Sequence, residues 1–367
     1  MTDLWDIRLV GSLETLSPFC VIPPSADEVT RADGSKFRRI SRRTIYQDGL
    51  RESRPVVPGS TLRGRLRRSA VEVVRGMTGD RVPLAQWHQN AIGGIKGSES
   101  EASFDVQLRI TLREKNPVLA LFGAGSPWMI SRASISDAIP EGPVETDLIG
   151  GARSDDGRRD GSFFEKLDAD ALEQWHAMAN ANSARTRYKK AMRELNATLR
   201  AARKNGSAEE VARLEAELGE LAKREETVGL LSTNPVSMPL QHEAMPAGVR
   251  MQHRITLSAV TAAEAGLFIA AMNHWMKSKP ALGQHESLGY GLLRGEYDAY
   301  LSLARSDDPF AIGQANAVSL GTMIAEPVSG LSCVPERFVE FMSAFREAFQ
   351  QGAFDFRLAS EIGTQAK

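Results

Sequence analysis

The sequence lacks the residues on which several classes of protein depend. It has two cysteines, Cys20 and Cys333, among 367 residues, too few for a disulfide framework or a cysteine-based metal site. Aromatic residues make up only 7% of the chain, and no stretch approaches the roughly 20 apolar residues of a membrane-spanning helix. No basic start followed by an apolar segment marks a secretory signal. The composition therefore predicts a soluble protein of the reducing cytoplasm, without membrane contact.

Motifs for the common catalytic and metal sites are missing too. The six histidines are scattered, and no two of them share one helix turn beside a carboxylate. His242-Glu243 is not followed by the second histidine of a metalloprotease helix. No serine lies in a nucleophile elbow, and neither cysteine lies in a motif that marks an activated thiol. We therefore expect no metal and no cofactor.

Positive charge is concentrated in one segment, although the whole chain has a net charge of −1. Residues 31–81 contain 14 basic residues, 13 of them arginine, against five acidic ones, so this window has a net charge of +9. Guanidinium suits phosphate because its planar fork donates two parallel hydrogen bonds. Such a segment in a neutral protein indicates one surface for a polyanion. The alternative is a solvated basic loop that is paired with acids elsewhere.

Within this segment, residues 59–64 have two glycines at the spacing of a phosphate-binding loop and precede a predicted helix. A nucleotide-binding loop continues with Lys and then Ser or Thr, whereas this chain has Arg65 and Leu66. Pro58 also disfavours a central strand before the loop. Nucleotide hydrolysis is therefore disfavoured. RNA is the better anion, because helix-terminal amides, hydroxyls and arginines can hold a sugar–phosphate backbone.

Hydrophobic periodicity predicts an α+β chain. The predicted strands lie at 4–13, 104–113 and 128–138, at 249–257, and in a last segment that ends at 297. The predicted helices lie at 61–75, 117–122, 262–277 and 335–350. Strands and helices interleave as in a split βαβ-βαβ domain with long insertions.

Two insertions stand out from this pattern. Residues 150–161, rich in Gly, Asp and Arg, predict a mobile loop. From about 163 to 226 apolar residues recur at steps of three and four, which predicts an antiparallel helical hairpin with a coiled-coil seam. Residues 207–210 form a capping box for its second helix. The hairpin is either a structural insertion or a grip for a partner or nucleic acid.

Four segments resemble, in the same order, the motifs of the RAMP superfamily of CRISPR proteins. Residues 57–67, VPGSTLRGRLR, resemble its IPGSSLKGxLR signature. The LFG at 121–123, with the strand ending in SDA at 138, resembles its LFG…SDA segment, and EAMPAG at 243–248 resembles its ERVPAG segment. The glycine-rich stretch 282–291 resembles its C-terminal turn. Each motif is short, but the ordered set over 55–297 is specific.

The resemblance is strongest to the repeating backbone subunit of class 1 CRISPR effector complexes, and the long arm and helical insertion favour type IV, with type I next. It implies an α+β fold with an RNA-recognition-motif or ferredoxin-like palm, a thumb loop and a helical-hairpin (fingers) insertion. Such subunits assemble along a guide RNA, cradle its backbone and present it for pairing with target DNA or RNA. The implied partners are the guide RNA, the target, copies of the same chain and other subunits of the complex.

On this resemblance the chain divides into four regions. Residues 1–149 form the first part of the palm, with a basic arm at 20–50. Residues 150–248 form the thumb and the helical insertion, 249–300 the second part of the palm, and 301–367 a C-terminal extension.

The resemblance also implies which side chains bind the RNA. Ser60, Thr61 and Arg63 match the part of the signature that touches guide phosphates. The other candidates come from the arm, the glycine-rich helix, the thumb, the second palm part and the glycine-rich turn. They are Arg38, Arg39, Arg42, Arg43, Arg65, Arg67, Arg153, Arg158, Arg159, Arg250, Gln284 and His285.

One departure from the family pattern concerns cleavage. Backbone subunits that cut target RNA carry an aspartate between the first strand and the glycine-rich helix. Placing residues 45–48 on the corresponding family stretch puts Arg42 at that position, which predicts a subunit that does not cleave. Asp27 and Asp33 in the arm keep open the alternative, an endoribonuclease of the same superfamily that cleaves guide precursor or target RNA.

Overall fold

The computed structural model describes residues 3–26, 28–30, 36–47, 49–79, 83–93, 106–125, 128–154, 160, 162–205, 208–231, 237–304 and 317–357. The chain forms two compact units, one made of Met1–Leu148 with His242–Lys367 and the other of Ile149–Gln241. The α+β class predicted from the sequence is confirmed.

The strands in chain order are β1 (Trp5–Thr15), β2 (Glu28–Thr30), β3 (Lys36–Arg38), β4 (Arg42–Gln47), β5 (Leu50–Pro55), β6 (Ala124–Gly125), β7 (Trp128–Met129), β8 (Ala133–Ile135), β9 (Ile139–Pro140), β10 (Asp147–Ser154), β11 (Ser237–Ala244), β12 (Arg250–Val260), β13 (Leu293–Leu303), β14 (Val318–Glu326) and β15 (Gly330–Ser332).

The α-helices are α1 (Gly59–Thr78), α2 (Leu84–Ile92), α3 (Val106–Lys115), α4 (Pro117–Phe122), α5 (Ala169–Asn205), α6 (Ala208–Leu231), α7 (Ala262–Ser278) and α8 (Glu336–Gln350). Short 3₁₀ turns lie at Phe164–Lys166 and Glu286–Leu288. None of the described helices is both long and apolar enough to cross a membrane.

The first unit is built on one antiparallel sheet with the strand order β15-β14-β13-β1-β12-β8, and β9 also pairs with β12. Helix α1 connects β1 towards β8, and α7 connects β12 to β13. Two β-α-β segments are thus intercalated, with the strands of one lying between and beside those of the other. Strands β14 and β15 and helix α8, which the sequence predicted only as a helix at 335–350, extend this unit at the β13 side.

Alternation along the central strands explains why one face of the sheet is buried. On β1, Ile7, Leu9 and Leu13 are at most 1% exposed, whereas the intervening Arg8 and Val10 are exposed. Strand β12 repeats the pattern, with every second residue from Met251 to Leu257 buried. Each large apolar side chain that is removed from water contributes about 1.5–3 kcal/mol, so this period of two specifies both the face and the register.

Helices α1, α7 and α8 also contribute to the core. Leu62 and Leu66 of α1 are 1% exposed, and Phe268 of α7 is fully buried. Helix α8 contributes Phe338 and Phe341, each at most 2% exposed. These side chains recur at three- and four-residue steps, which is the spacing that places them on one helix face.

The prediction of a strand at 104–113 is wrong, because helix α3 occupies this stretch from residue 106 onward. Leu108 and Leu112, one helical turn apart, pack with Leu119 and Met129 in a small buried cluster. The β-branched residues between them stay outside it; Ile110 is 45% exposed. Packing against α4 therefore favours a helix here, although the alternation of apolar residues in the sequence is typical of a strand.

The second unit contains the predicted pair of helices, α5 and α6. Leu199, Ala202 and Leu214 form its buried cluster, and Arg203 lies 2.6 Å from Glu215 across the seam. Ser207, the first residue of the predicted capping box, lies outside the described residues.

The prediction of a mobile loop at 150–161 is wrong for the first part of this stretch. Residues 150–154 belong to β10, which pairs with β11. The backbone N–H and C=O groups of residues 150–154, which in a loop would bond to water, thus belong to a two-stranded ribbon. Most of the remaining loop, residues 155–159 and 161, lies outside the described residues.

A buried polar pair crosses the centre of the sheet. The Nδ1 atom of His253 lies 2.7 Å from the hydroxyl of Tyr297, and both residues are register partners of Gly11 on β1. A Cβ on Gly11 would lie 1.9 Å from the carbonyl oxygen of Glu296, so this position requires glycine. Burial lowers the pKa of His253 to about 4 and raises the pKa of Tyr297.

This pair predicts that acid destabilises the protein through His253. Between its ordinary pKa and about 4 the unfolded chain binds a proton that the folded chain excludes, so stability rises with pH across that window. We expect His253 to contribute a loss of about 3 kcal/mol in the free energy of unfolding between pH 7 and pH 4. His253→Gln should flatten this dependence in urea titrations, whereas Tyr297→Phe should destabilise the protein and keep the slope. An unchanged slope in His253→Gln contradicts the assignment.

Candidate nucleic-acid interface

The start of α1 is joined to the segment that follows β8. Val57 and Ala138 exchange two backbone hydrogen bonds, of 3.1 and 2.9 Å. Pro58, with φ −65° and ψ 132°, then ends the extended stretch, and the N–H of Gly59 donates to Oδ1 of Asp137 at 2.7 Å. The positive end of the helix dipole therefore holds a carboxylate of the same chain.

The two glycines of the 59–64 stretch have different environments. A Cβ on Gly59 would lie 2.4 Å from the carbonyl oxygen of Ile135 and 2.7 Å from that of Ser136. Gly59 is therefore needed for packing against the protein's own backbone. A Cβ on Gly64 would meet nothing within 4 Å, so the helix surface at Gly64 is open to a ligand.

Glu243, at the end of β11, is a buried anchor for the arginine-rich arm. Its carboxylate accepts hydrogen bonds from Arg42 at 2.6 Å, from Thr146 at 2.6 Å and from the backbone N–H of Ile40 at 2.9 Å. Burial alone would raise the pKa of this carboxyl, but the hydrogen bonds outweigh burial and hold the pKa below its ordinary value. A fully bonded carboxylate of this kind stays ionised in the interior.

Arg43, the residue after Arg42, bonds to a second carboxylate, that of Asp137. Its Nε donates to Oδ2 of Asp137 at 2.6 Å, while its side chain stays 51% exposed. Asp137 therefore links the start of α1 to strand β4. Arg43 still presents part of its guanidinium to solvent.

The glycine-rich turn at 282–291 lies against the beginning of the arm. The N–H of Gln284 donates to the carbonyl of Cys20 at 2.8 Å, and the N–H of Gly291 donates to that of Pro18 at 2.9 Å. Gly283, at φ +103°, would place a Cβ 2.6 Å from the Cys20 carbonyl oxygen, so a larger residue does not fit there. Burial, with a smaller effect of Glu243, raises the pKa of Cys20 to about 11, which keeps its thiol protonated.

A stacked histidine pair joins this turn to β11. The rings of His242 and His285 lie 4.0 Å apart at an angle of 25°, and Nε2 of His242 lies 3.3 Å from the Tyr290 hydroxyl. Burial and then the charge of His285 lower the pKa of His242. His242 is 7% exposed, whereas His285 is half-buried at the surface.

The structure thus brings part of the predicted RNA-binding set together. The two carboxylates, Asp137 and Glu243, lie among these residues. Gln284 and Ser60 are exposed. The members of this cluster are Arg42, Arg43, Ser60, Thr61, Gln284 and His285.

Three arginines of α1 donate hydrogen bonds to backbone carbonyls of the same chain, although Arg63 stays exposed at the surface. Arg63 donates to the carbonyl of Phe122, and Arg65 donates to the carbonyl of Lys279. Arg67, predicted to bind RNA, is only 8% exposed and donates to the carbonyl of Asn90 near the end of α2 at 2.6 Å. Burial, with a smaller effect of Arg63, lowers the pKa of Arg67 to about 10. The carbonyl end of α2 therefore takes the place of an external anion for Arg67.

Other predicted residues lie away from this cluster or outside the description. Arg38 and Arg39 are exposed at the end of the β2–β3 hairpin. Arg250 is exposed at the start of β12, opposite Glu14. Arg153 lies on β10. The predicted residues Arg158 and Arg159, and the alternative catalytic residues Asp27 and Asp33, lie outside the described residues.

Sequence reasoning missed a further arginine that shapes the surface. Arg54 is 5% exposed and donates to Gln47, twice to Glu52, and to the carbonyls of Pro140 and Glu141. Its guanidinium joins both strands of the β4–β5 hairpin to the segment after β8. The acidic residues inside the SDA and EAMPAG motifs were the available signal that arginines of the arm have internal partners.

No metal centre is found in the described part of the chain. There, no three His, Cys, Asp or Glu side chains are grouped in a way that could hold a metal ion.

Comparison with known proteins gives a structural likeness. No protein-family model matches the chain, and no curated protein matches it. Among solved structures, a chain of a "Type IV-B CRISPR Complex" is similar over 85% of this chain and 96% of that chain, with 16% sequence identity and a TM-score of 0.40.

The contrast between the two glycines gives a matched stability test. Gly59→Ala pushes a methyl group into two backbone carbonyls and should lower the free energy of unfolding by about 1–3 kcal/mol. Gly64→Ala places the methyl group in open space within a helix and should raise the free energy of unfolding by about 0.5–1 kcal/mol. Chemical denaturation of both variants measures this difference. Equal effects would show that Gly59 is not constrained by the 135–136 backbone.

Proposed function

We propose that the chain is a non-catalytic backbone subunit of a class 1 CRISPR effector complex, of the RAMP type, that binds the sugar–phosphate backbone of a guide RNA. The observation that carries the proposal is the convergence of the motif segments. The 57–59 stretch bonds to residues 137–138, the carboxylate of Glu243 bonds to the arm, and the turn at 282–291 bonds to residues 18–20. Segments far apart in the sequence thus build one surface.

The sheet supports the palm assignment. The order β13-β1-β12-β8, with α1 and α7 as the connecting helices, is the order expected for a split βαβ domain of the ferredoxin-like type. In such a domain, the loop after the first strand and the start of the first helix lie at the same end of the strands. The basic arm and the 59–64 stretch occupy those positions. We propose the β10–β11 ribbon as the thumb and helices α5 and α6 as the fingers.

The outward-facing groups favour recognition of the backbone over the bases. Arg38, Arg39 and Arg43 present guanidinium groups to solvent, and Ser60 presents a hydroxyl beside the start of α1. The open surface at Gly64 lets a ligand approach the helix closely. Contacts of this kind bind phosphates without reading sequence. A guide-holding subunit needs this property, because the bases must stay free to pair with a target.

We propose that this subunit does not cleave RNA. The position at which cleaving relatives carry an aspartate is occupied by Arg42, whose guanidinium is bonded to Glu243. A guanidinium cannot accept a proton at neutral pH and therefore cannot replace a carboxylate as base or metal ligand. We further propose that copies of the chain, together with other subunits, assemble along one guide RNA in the cytoplasm.

The salt dependence of RNA binding tests this proposal. We expect binding of a single-stranded RNA of about 30 nucleotides to weaken steeply with salt, because bound cations are released from the phosphates. The double variant Arg38→Ala/Arg39→Ala should reduce the slope of log affinity against log salt by about 1.4, since each lost phosphate contact removes about 0.7. Fluorescence anisotropy at several salt concentrations measures the slope, and the RNA should remain intact.

A matched control removes two exposed cations from α7 and α8, as Lys277→Ala/Arg346→Ala, and should leave the slope unchanged. Equal slopes for all three proteins would contradict the proposed path of the RNA. Absence of RNA binding, or a specific cut in the RNA, would overturn the proposed function.

A further inference from the structure

A groove lies between the C-terminal parts of α1, α7 and α8 in the first unit. Its volume is about 770 Å³, and every described residue that lines it belongs to one of these three helices. Its apolar floor consists of Val73, Met77, Ala270, Met342, Phe345 and Phe349. Phe345 is 2% exposed, whereas the other five are half-buried. The groove is therefore an apolar surface that is open to solvent.

The charged side chains that line this groove are positive. Lys277 of α7 and Arg346 of α8 lie on different helices, and both are exposed. No Asp or Glu is among the described residues of the lining. The nearby Glu72 is bonded to Nε2 of His274 at 3.0 Å and lies 3.6 Å from Nζ of Lys279. Two cations thus flank an apolar floor that has no carboxylate of its own, which favours a partner with both apolar and acidic side chains.

The lining favours a helix as the occupant. Its residues from 342 to 350 follow α8 for about 12 Å, the length of two turns of a facing helix. The groove is lined by helices alone, so its described part has no strand edge to which an extended peptide could add. Met77 and Met342 have flexible side chains that adapt to the shape of a partner. A facing helix would place apolar side chains at i, i+3, i+4 and i+7 on the floor.

The groove is distant from the surface to which we assign the guide phosphates. Ser60 and Met77 lie near opposite ends of α1, 17 residues and therefore about 25 Å apart. A nucleic acid in the groove would leave the apolar floor without a partner, and two cations are few for a phosphate backbone. The groove and the RNA surface are therefore separate features of the same unit.

We propose that this groove binds an acidic amphipathic helix of a partner protein, with the apolar face of that helix on the floor and its carboxylates beside Lys277 and Arg346. The inference goes beyond the proposed RNA binding and does not depend on it. The chain would then hold an RNA at the start of α1 and a protein helix at its end.

Three synthetic peptides of about 16 residues, each with a helical period, test the proposal on the full chain. The first has Leu at i, i+3, i+4 and i+7 and Glu on both flanks. The second has Lys in place of each Glu, and the third has Ser in place of each Leu. We expect the wild type to bind the Glu peptide, and to bind each of the other two about tenfold more weakly or less. Fluorescence anisotropy of labelled peptides measures the affinities.

Charge reversal in the groove gives the sharper comparison. Lys277→Glu/Arg346→Glu should weaken binding of the Glu peptide by roughly 5- to 30-fold, because two exposed ion pairs become like-charge pairs. The same variant should bind the Lys peptide more tightly than the wild type does. The matched control Arg193→Glu/Arg200→Glu changes two exposed cations of α5 and should leave both affinities unchanged. Because the substituted residues are exposed, all three proteins should unfold at the same denaturant concentration.

The floor is tested separately. Met77→Ser/Met342→Ser should weaken binding of the Glu peptide by about tenfold, because less apolar area is buried. Unchanged binding in this variant would contradict the position of the apolar face.

The remaining outcomes distinguish this proposal from the other possible occupants and from the proposed function. Equal binding of the Glu and Lys peptides, or of the Glu peptide by wild type and Lys277→Glu/Arg346→Glu, would overturn the proposal. Displacement of the Glu peptide by a single-stranded RNA of about 30 nucleotides would assign the groove to nucleic acid and overturn it too. A dimer that Lys277→Glu/Arg346→Glu dissociates would assign the groove to a second copy, with the same consequence. The salt dependence of RNA binding should not change in this variant, so failure here leaves the proposed function standing.

Discussion

Two buried or half-buried carboxylates, Asp137 and Glu243, attach the arginine-rich segment to the rest of the first unit. Asp137 bonds to Arg43 and to the start of α1, and Glu243 bonds to Arg42 and to the backbone of Ile40. A window with a net charge of +9 repels itself unless some of its cations are paired. These bonds pair two of its arginines and orient the β4–β5 hairpin. They also place α1, so the candidate site depends on them.

The arginines of this segment therefore have two different roles. Arg42, Arg54 and Arg67 point inward and donate to carboxylates or carbonyls of the same chain, whereas Arg38 and Arg39 point outward. Burying a guanidinium is costly unless its donors are bonded. Arg54, with five hydrogen bonds, meets this condition, whereas Nε of Arg42 and one Nη of Arg67 have no partner among the described residues. The outward ones are those left for a polyanion. The amount of charge in the sequence overstates the amount available for binding.

The sequence predicts those features of the fold that depend on residues close together in the chain. The strands β1 and β12 and the helices α1 and α7 have strong periods of two or of three to four residues, and the sequence predicts all of them. The prediction of a strand at 104–113 failed because the alternating apolar residues there also include Leu108 and Leu112, which are one helical turn apart. The pattern fits both a strand and a helix, and packing against α4 favours the helix. The partners of the arginines could not be predicted from the sequence, since Arg42 and Glu243 are 201 residues apart along the chain. The sequence pattern shows an excess of cations but not which of them are already bonded.

We propose that this chain holds a guide RNA, and purification of the protein from the cells that encode it tests that proposal most directly. The RNA that copurifies should be of uniform length, should carry repeat-derived sequence at its ends, and should be protected from nuclease along the length covered by stacked copies of the chain. Sequencing of the extracted RNA gives the result. Recovery of the protein free of nucleic acid, or with RNA fragments of random length and origin, would contradict the account.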